Sequence, residues 1–194
     1  MKQTSDGLFQ HPGLRSLLVK LRLPLFIVVL LLVAPFVRRD WLLAGFIVSM
    51  LGEFIQIWCF ASLDKNLTLT IRGPYTMVRN PMYLGRFFIP LGFLMLLGQW
   101  WLLLAYAVIY WLYMDARVQR EEAHLKPIFG APYEADCAQV RRFVPGWPQP
   151  VSAVAYWNWN LFKQNNAGRN LLATLAAWAL MAAWTLWGVP ALRG

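Results

Sequence analysis

Charge is what this chain has least of for its size. Of its 194 residues, 14% are Asp, Glu, Lys or Arg and 59% are hydrophobic. A soluble domain carries about 25% charged residues, because it must cover itself with a solvated surface. A chain this poor in charge is not an ordinary soluble globular domain. Cysteine is nearly absent: Cys59 falls in an apolar stretch and Cys137 in a polar one, which excludes a disulfide framework. Histidine is equally scarce, with His11 and His124 alone, and neither they nor the cysteines have the spacing of a metal site. Metal-dependent chemistry has no ligand set to rest on. There are only nine acids, so any pair of them stands out.

What is present is apolar, and it is gathered in blocks at about 23–37, 41–63, 83–98, 100–114 and 171–190. One helical crossing of a bilayer takes roughly 20 apolar residues, within a range of about 17–25. The second and fifth blocks meet that length directly. Flanking Lys, Arg, Tyr and Trp extend the others to the interface by snorkelling. The first block is expected to stay in the membrane and not to be a removable leader, because basic residues precede it and Arg38-Arg39 follows it in place of a small-residue cleavage site. The expected fold is all-α: a polytopic integral membrane bundle of about five transmembrane helices. A single domain is expected. Residues 1–22 form a tail and interfacial helix, 23–114 hold four membrane helices, 115–150 form a cytoplasmic segment, and 151–194 hold an interfacial segment and the last membrane helix.

The eighteen Lys and Arg, in a net charge of +9, sort by side. Fifteen fall in the N-terminal stretch and in the 64–86 and 115–170 connections, and only Arg38, Arg39 and Arg193 fall on the other side. Cytoplasmic loops carry the Lys/Arg excess, so the N-terminus is expected inside and the C-terminus outside. The basic charge is accordingly a topology signal and an attractor of anionic lipid, not a nucleic-acid footprint.

Chemistry has room only in the long inner connections. Pro81, in Arg79-Asn80-Pro81-Met82-Tyr83-Leu84-Gly85-Arg86, opens the third membrane helix. Polar donors therefore stand beside the unpaired amides of a helix N-terminus, a place suited to a carboxylate or phosphate. The same residues also serve as an ordinary interfacial helix start. Arg117, Glu121 and Glu122 share a helical surface just past the end of the fourth helix. They form either a polar site or a solvated ion-pair face. Glu53 and Gln56 lie within the second block, where an ionisable group is costly. They either line a cavity or tie helices together.

These motifs, taken in order, resemble a known family. Asn80-Pro81-Met82-Tyr83 with Gly85, then Glu121-Glu122, Leu125, Phe129-Gly130 and Tyr133, then Val140, Arg142-Phe143 and Pro145, resemble the isoprenylcysteine carboxyl methyltransferases. They are similar also to the phosphatidylethanolamine N-methyltransferases. The resemblance covers about residues 45–148. It implies S-adenosylmethionine as cofactor, held between helix ends and a cytoplasmic segment, with a lipid substrate entering from the bilayer. By position, it implies cofactor contacts from Asn80, Pro81, Tyr83, Gly85, Glu121, Tyr133 and Arg142, and catalytic roles for Arg117, Glu121 and Glu122. Glu53, Gln56 and Arg86 are the substrate-side candidates. The chain departs from the carboxyl methyltransferases at Asn80, where they usually have histidine, and at Asp136, where a second tyrosine is frequent.

The acceptor stays open between a phospholipid amine and a prenyl-type carboxylate, at the inner face of a bacterial-type inner membrane. An NADPH-dependent membrane reductase and a non-catalytic scaffold are the rival expectations.

Overall fold

A computed structural model describes residues 32–64, 69–148 and 151–190, with Leu21, Pro24 and Val28 as isolated positions. The tail expected over 1–22 and most of the first apolar block lie outside the described residues. The described helices are α1 (Leu42–Ser62), α2 (Pro81–Met95), α3 (Trp100–Phe129), α4 (Ala131–Gln139), α5 (Trp159–Gln164) and α6 (Ala167–Ala183). A π-turn over Trp184–Gly188 continues α6. There is no strand among the described residues.

Among the described residues, three stretches are long and apolar enough to cross a bilayer: Arg39–Ser62, Trp100–Phe129 and Ala167–Gly188. The protein is an α-helical membrane bundle. The shorter α2 has 15 residues. At a rise of about 1.5 Å per residue this is near 22 Å, less than the hydrocarbon thickness of about 30 Å. By the same rise α3 is about 45 Å long, so its last turns extend past the hydrocarbon as one continuous helix. It stops at Gly130, whose φ of 57° suits a residue without Cβ, and Pro132 sits in the first turn of α4.

The helices alternate in direction and pack in the order α6, α1, α2, α3. The α1–α2 contact is made backbone to backbone. A Cβ built on Gly52 would lie 2.7 Å from the Gly85 carbonyl oxygen, and one built on Gly85 would lie 2.8 Å from that of Gly52. Two turns away Gly45 and Gly92 meet in the same reciprocal way. Ser49, between these pairs, donates 2.7 Å to the Ile89 carbonyl. In lipid there is no hydrophobic drive between helices, so such close approach and buried hydrogen bonds carry the association.

On the other side of α1, buried Glu53 accepts from Asn170 at 2.8 and 3.0 Å and from Thr174 at 2.9 Å, joining α1 to α6. Between α2 and α3, Tyr110 donates 2.7 Å to the Tyr83 carbonyl and Tyr106 donates 3.0 Å to that of Phe87. At one end of the bundle Val37, Leu96, Trp178 and Val189 form a buried cluster, with Phe93 stacked on Trp178. The opposite end gathers the finish of α1, the start of α2 and the last turns of α3. There, residues 141–146 run back along the 77–79 loop. Arg79 N–H donates 2.9 Å to Arg141 O, and Gly146 N–H donates 2.9 Å to Met77 O.

Gly52→Val is expected to cost about 1–3 kcal/mol by overpacking this contact. It should lower the thermal unfolding midpoint in detergent, while Leu51→Val on the exposed side should leave it in place. An unchanged midpoint for Gly52→Val would contradict the close-packed interface.

Candidate active site

The gathered helix ends enclose a cavity of about 420 Å³. This falls within the range of about 300–1,000 Å³ typical of small-molecule sites. Asn80 sits at the cap of α2, and Pro81 occupies the first turn where its missing N–H has no cost. This start turns Asn80, Met82, Tyr83 and Arg86 onto the cavity wall. The last turns of α3 supply Arg117, Glu121, His124, Leu125, Ile128 and Phe129, and α4 supplies Tyr133 and Asp136. Phe60 and Leu63 at the end of α1, with Leu69, complete an apolar side. The cavity therefore has a polar half and an apolar half.

Tyr83 is the centre of the polar half. It is buried, and its hydroxyl donates 2.7 Å to Glu121 Oε2. The Arg117 guanidinium faces the same hydroxyl, and the Arg86 guanidinium lies 5.6 Å from the ring centroid. One tyrosine thus spaces two arginines and one carboxylate around a single opening. Asp136 is half-buried, and that burial raises its carboxyl above the ordinary range, while nearby Arg79 opposes the rise. Burial also raises the Tyr133 hydroxyl, with Glu122 and Cys137 adding to it.

Glu122, the neighbour of Glu121, lies on a different face of α3 and is not among the residues lining the cavity. Its carboxylate is bonded to Arg142, with Arg142 Nε donating 3.1 Å to Oε1, and Arg79 stands 3.6 Å from Oε1. Arg142 also reaches Asp115 at 3.4 Å. These bonds fasten the 141–146 segment onto α3. Arg142 is likewise absent from the lining.

Of the residues singled out from sequence, the structure brings Asn80, Tyr83, Arg86, Arg117, Glu121 and Tyr133 into one cavity. Pro81 and Gly85 stand at the same helix start as backbone features, the first opening α2 and the second packing on α1. Glu53 and Gln56 are buried in the bundle outside the lining. Glu53 ties helices, and Gln56 packs its side chain over Gly85. Sequence reasoning missed Tyr75, Arg79, His124 and Asp136 in the lining. Tyr75 is half-buried in a 3₁₀ turn over Gly73–Thr76, with its hydroxyl against the Cys59 thiol, and desolvation there holds that hydroxyl well above the ordinary range. The Gly73-Pro74 pair before it was the available signal for an inward turn. Among the described residues no cluster of His, Cys, Asp and Glu is placed to hold a metal.

Residues 40–132 match the family described as phospholipid methyltransferase. The protein-S-isoprenylcysteine O-methyltransferase of Schizosaccharomyces pombe is 38% identical over 82 residues, which cover 42% of this chain and 33% of that protein. The protein-S-isoprenylcysteine O-methyltransferase B of Arabidopsis thaliana is 27% identical over 125 residues, covering 57% of this chain and 64% of that protein. The chain thus spans less than two thirds of the length of either relative. No solved structure matches it. The matched residues 40–132 hold α1, α2, α3 and most of the cavity wall, and the resemblance read from the motifs is borne out by this match to the phospholipid methyltransferase family.

Proposed function

We propose that this protein transfers a methyl group from S-adenosylmethionine to a lipid-like acceptor, in the cavity at the gathered helix ends. The observation that carries the proposal is the single cavity shared by Asn80, Tyr83, Arg117, Glu121 and Tyr133. The donor set fits the cofactor. Carboxylates at Glu121 and Asp136 suit its cationic groups, Asn80 at a helix start and the arginines suit its carboxylate, and Tyr75, Phe129 and Tyr133 offer rings to a base. When bound, S-adenosylmethionine supplies a methyl group already activated on a sulfonium.

The protein's own work is therefore alignment and exclusion of water. Tyr83 is held from both sides, by Glu121 at its hydroxyl and by Tyr110 at its carbonyl, so the polar wall is preorganised. Arg117 and Arg86 orient an anionic group of the acceptor. For an amine acceptor Glu121 is the base that takes the proton before transfer, and for a carboxylate acceptor no base is needed. The apolar half, with Phe60, Leu63, Leu69 and Ile128, accommodates the lipid chain. The Lys and Arg excess at this end supports a cytoplasmic orientation, and the proposal sets the protein in a bacterial-type inner membrane.

Calorimetric titration of the purified protein is expected to give heat with S-adenosylmethionine and none with NADPH. The reverse would make the protein a reductase, and heat with neither would leave a scaffold. Incubation of the protein with membranes and methyl-labelled S-adenosylmethionine should place the label in the organic extract. Label confined to water-soluble products would rule out a lipid acceptor. Tyr83→Phe, which loses the hydroxyl bonded to Glu121, is expected to lower methyl transfer by about 10- to 100-fold, on the scale of a lost charge-assisted hydrogen bond of about 1.5–3 kcal/mol. Unchanged turnover in a folded variant would remove Tyr83 from the mechanism.

A further inference from the structure

The matched family segment stops at residue 132, yet one wall of the cavity is held by residues well beyond it. The last four carbonyls of any helix lack partners within the helix. At the end of α1 each carbonyl from Phe60 to Leu63 has one from elsewhere. The Asn165 amide donates 2.9 Å to Phe60 O and 2.8 Å to Leu63 O. Asn158 N–H donates 3.1 Å to Ala61 O, and Arg72 Nε donates 3.1 Å to Ser62 O. Arg72 is in turn held over the Tyr156 ring at 4.3 Å. Three of these four bonds come from the region after residue 151, and Phe60 and Leu63 are cavity-lining residues.

The region is built for this. The Asn158 side chain caps α5 by accepting from Asn160 and Leu161 N–H. After α5, Asn166 takes a left-handed φ of 58°, which reverses the chain into α6. Asn165 is thereby set against the end of α1, with 9% exposure. Asn170 and Thr174 then clasp Glu53, about two to three turns nearer the middle of α1. The α5–α6 hairpin grips α1 at two levels, and only the upper one touches residues of the cavity.

We infer that the 156–166 segment is part of the site, with Asn165 as a positioning residue that fixes the end of α1 and so sets the Phe60–Leu63 wall. This rests on the reading of the cavity as the methyl-transfer site. A carbonyl left unpaired at the border of the hydrocarbon is costly, so the end of α1 keeps its place while Asn165 donates. Asn165→Asp keeps the shape but turns an acceptor toward two acceptors.

The test uses the full chain in phospholipid vesicles and compares Asn165→Asp with Thr174→Val, which loosens the lower grip, and with Asn165→His, which restores a donor. Hydrogen exchange at residues 58–64 should rise in Asn165→Asp, and the dissociation constant for S-adenosylhomocysteine should rise about tenfold, the effect of about one lost hydrogen bond. Asn165→His should recover part of both, and Thr174→Val should change neither even if it lowers the melting midpoint. Unchanged exchange at 58–64 overturns the inference. Raised exchange with unaltered affinity overturns the positioning role. A wild-type protein that does not bind S-adenosylhomocysteine defeats the methyl-transfer reading instead, and raised exchange in Asn165→Asp then still supports Asn165 as the residue that holds the wall.

Discussion

The backbone contact between Gly52 and Gly85 sets the position of the polar residues that α2 brings to the cavity. Gly85 lies one turn beyond Pro81, so fixing its carbonyl against α1 fixes the height and rotation of the first turn of α2. That turn carries Asn80, Tyr83 and Arg86 to the cavity. Tyr83 then orders its neighbours: its carbonyl receives Tyr110 of α3, and its hydroxyl reaches Glu121 farther along the same helix. A side chain at either glycine would push α2 outward and dismantle this geometry without touching a chemical group. Gly85, which the motif resemblance places among cofactor contacts, has a packing duty that accounts for its presence in that run.

The bilayer explains why the chemistry collects at one end. Within hydrocarbon backbone groups must be satisfied inside the protein, for the most part within their own helix, and unpaired groups collect where helices stop. The end that holds the site has the long connections, and these fold back to satisfy the free groups. The 141–146 segment pairs with the 77–79 loop, and the Arg142–Glu122 bond fastens it to α3. The hairpin after residue 151 pairs with the end of α1. What these satisfied ends leave open is a cavity half polar and half apolar, a division that suits the proposed cofactor and lipid acceptor.

Much of this was legible in the sequence, and for physical reasons. The block at 41–63 became α1 at 42–62 because a long apolar run bounded by charged residues has one stable state in lipid. The helical surface that carries Arg117 and Glu121 past the fourth apolar block, and the convergence of Tyr83 with Glu121 in one cavity, followed from local pattern and from motif order. Other features were not legible, because their partners are distant. Nothing near Glu53 in sequence announces Asn170 and Thr174, and nothing near Phe60 announces Asn165, more than 100 positions away. The paired glycines were a signal left unread: Gly45 and Gly52, and Gly85 and Gly92, are each seven apart in consecutive membrane helices. Glu121 and Glu122 read as one acidic pair in sequence. The helix turns adjacent residues by about 100°, which sends the first into the cavity and the second behind it.

A structure of the protein determined with S-adenosylhomocysteine tests the site most directly. Ligand density should lie in the cavity, in contact with Asn80, Tyr83 and Tyr133 and within reach of Glu121. Density at the opposite end of the bundle, among Phe36, Arg38 and Trp101, or ligand nowhere in the map at saturating concentration, would contradict it.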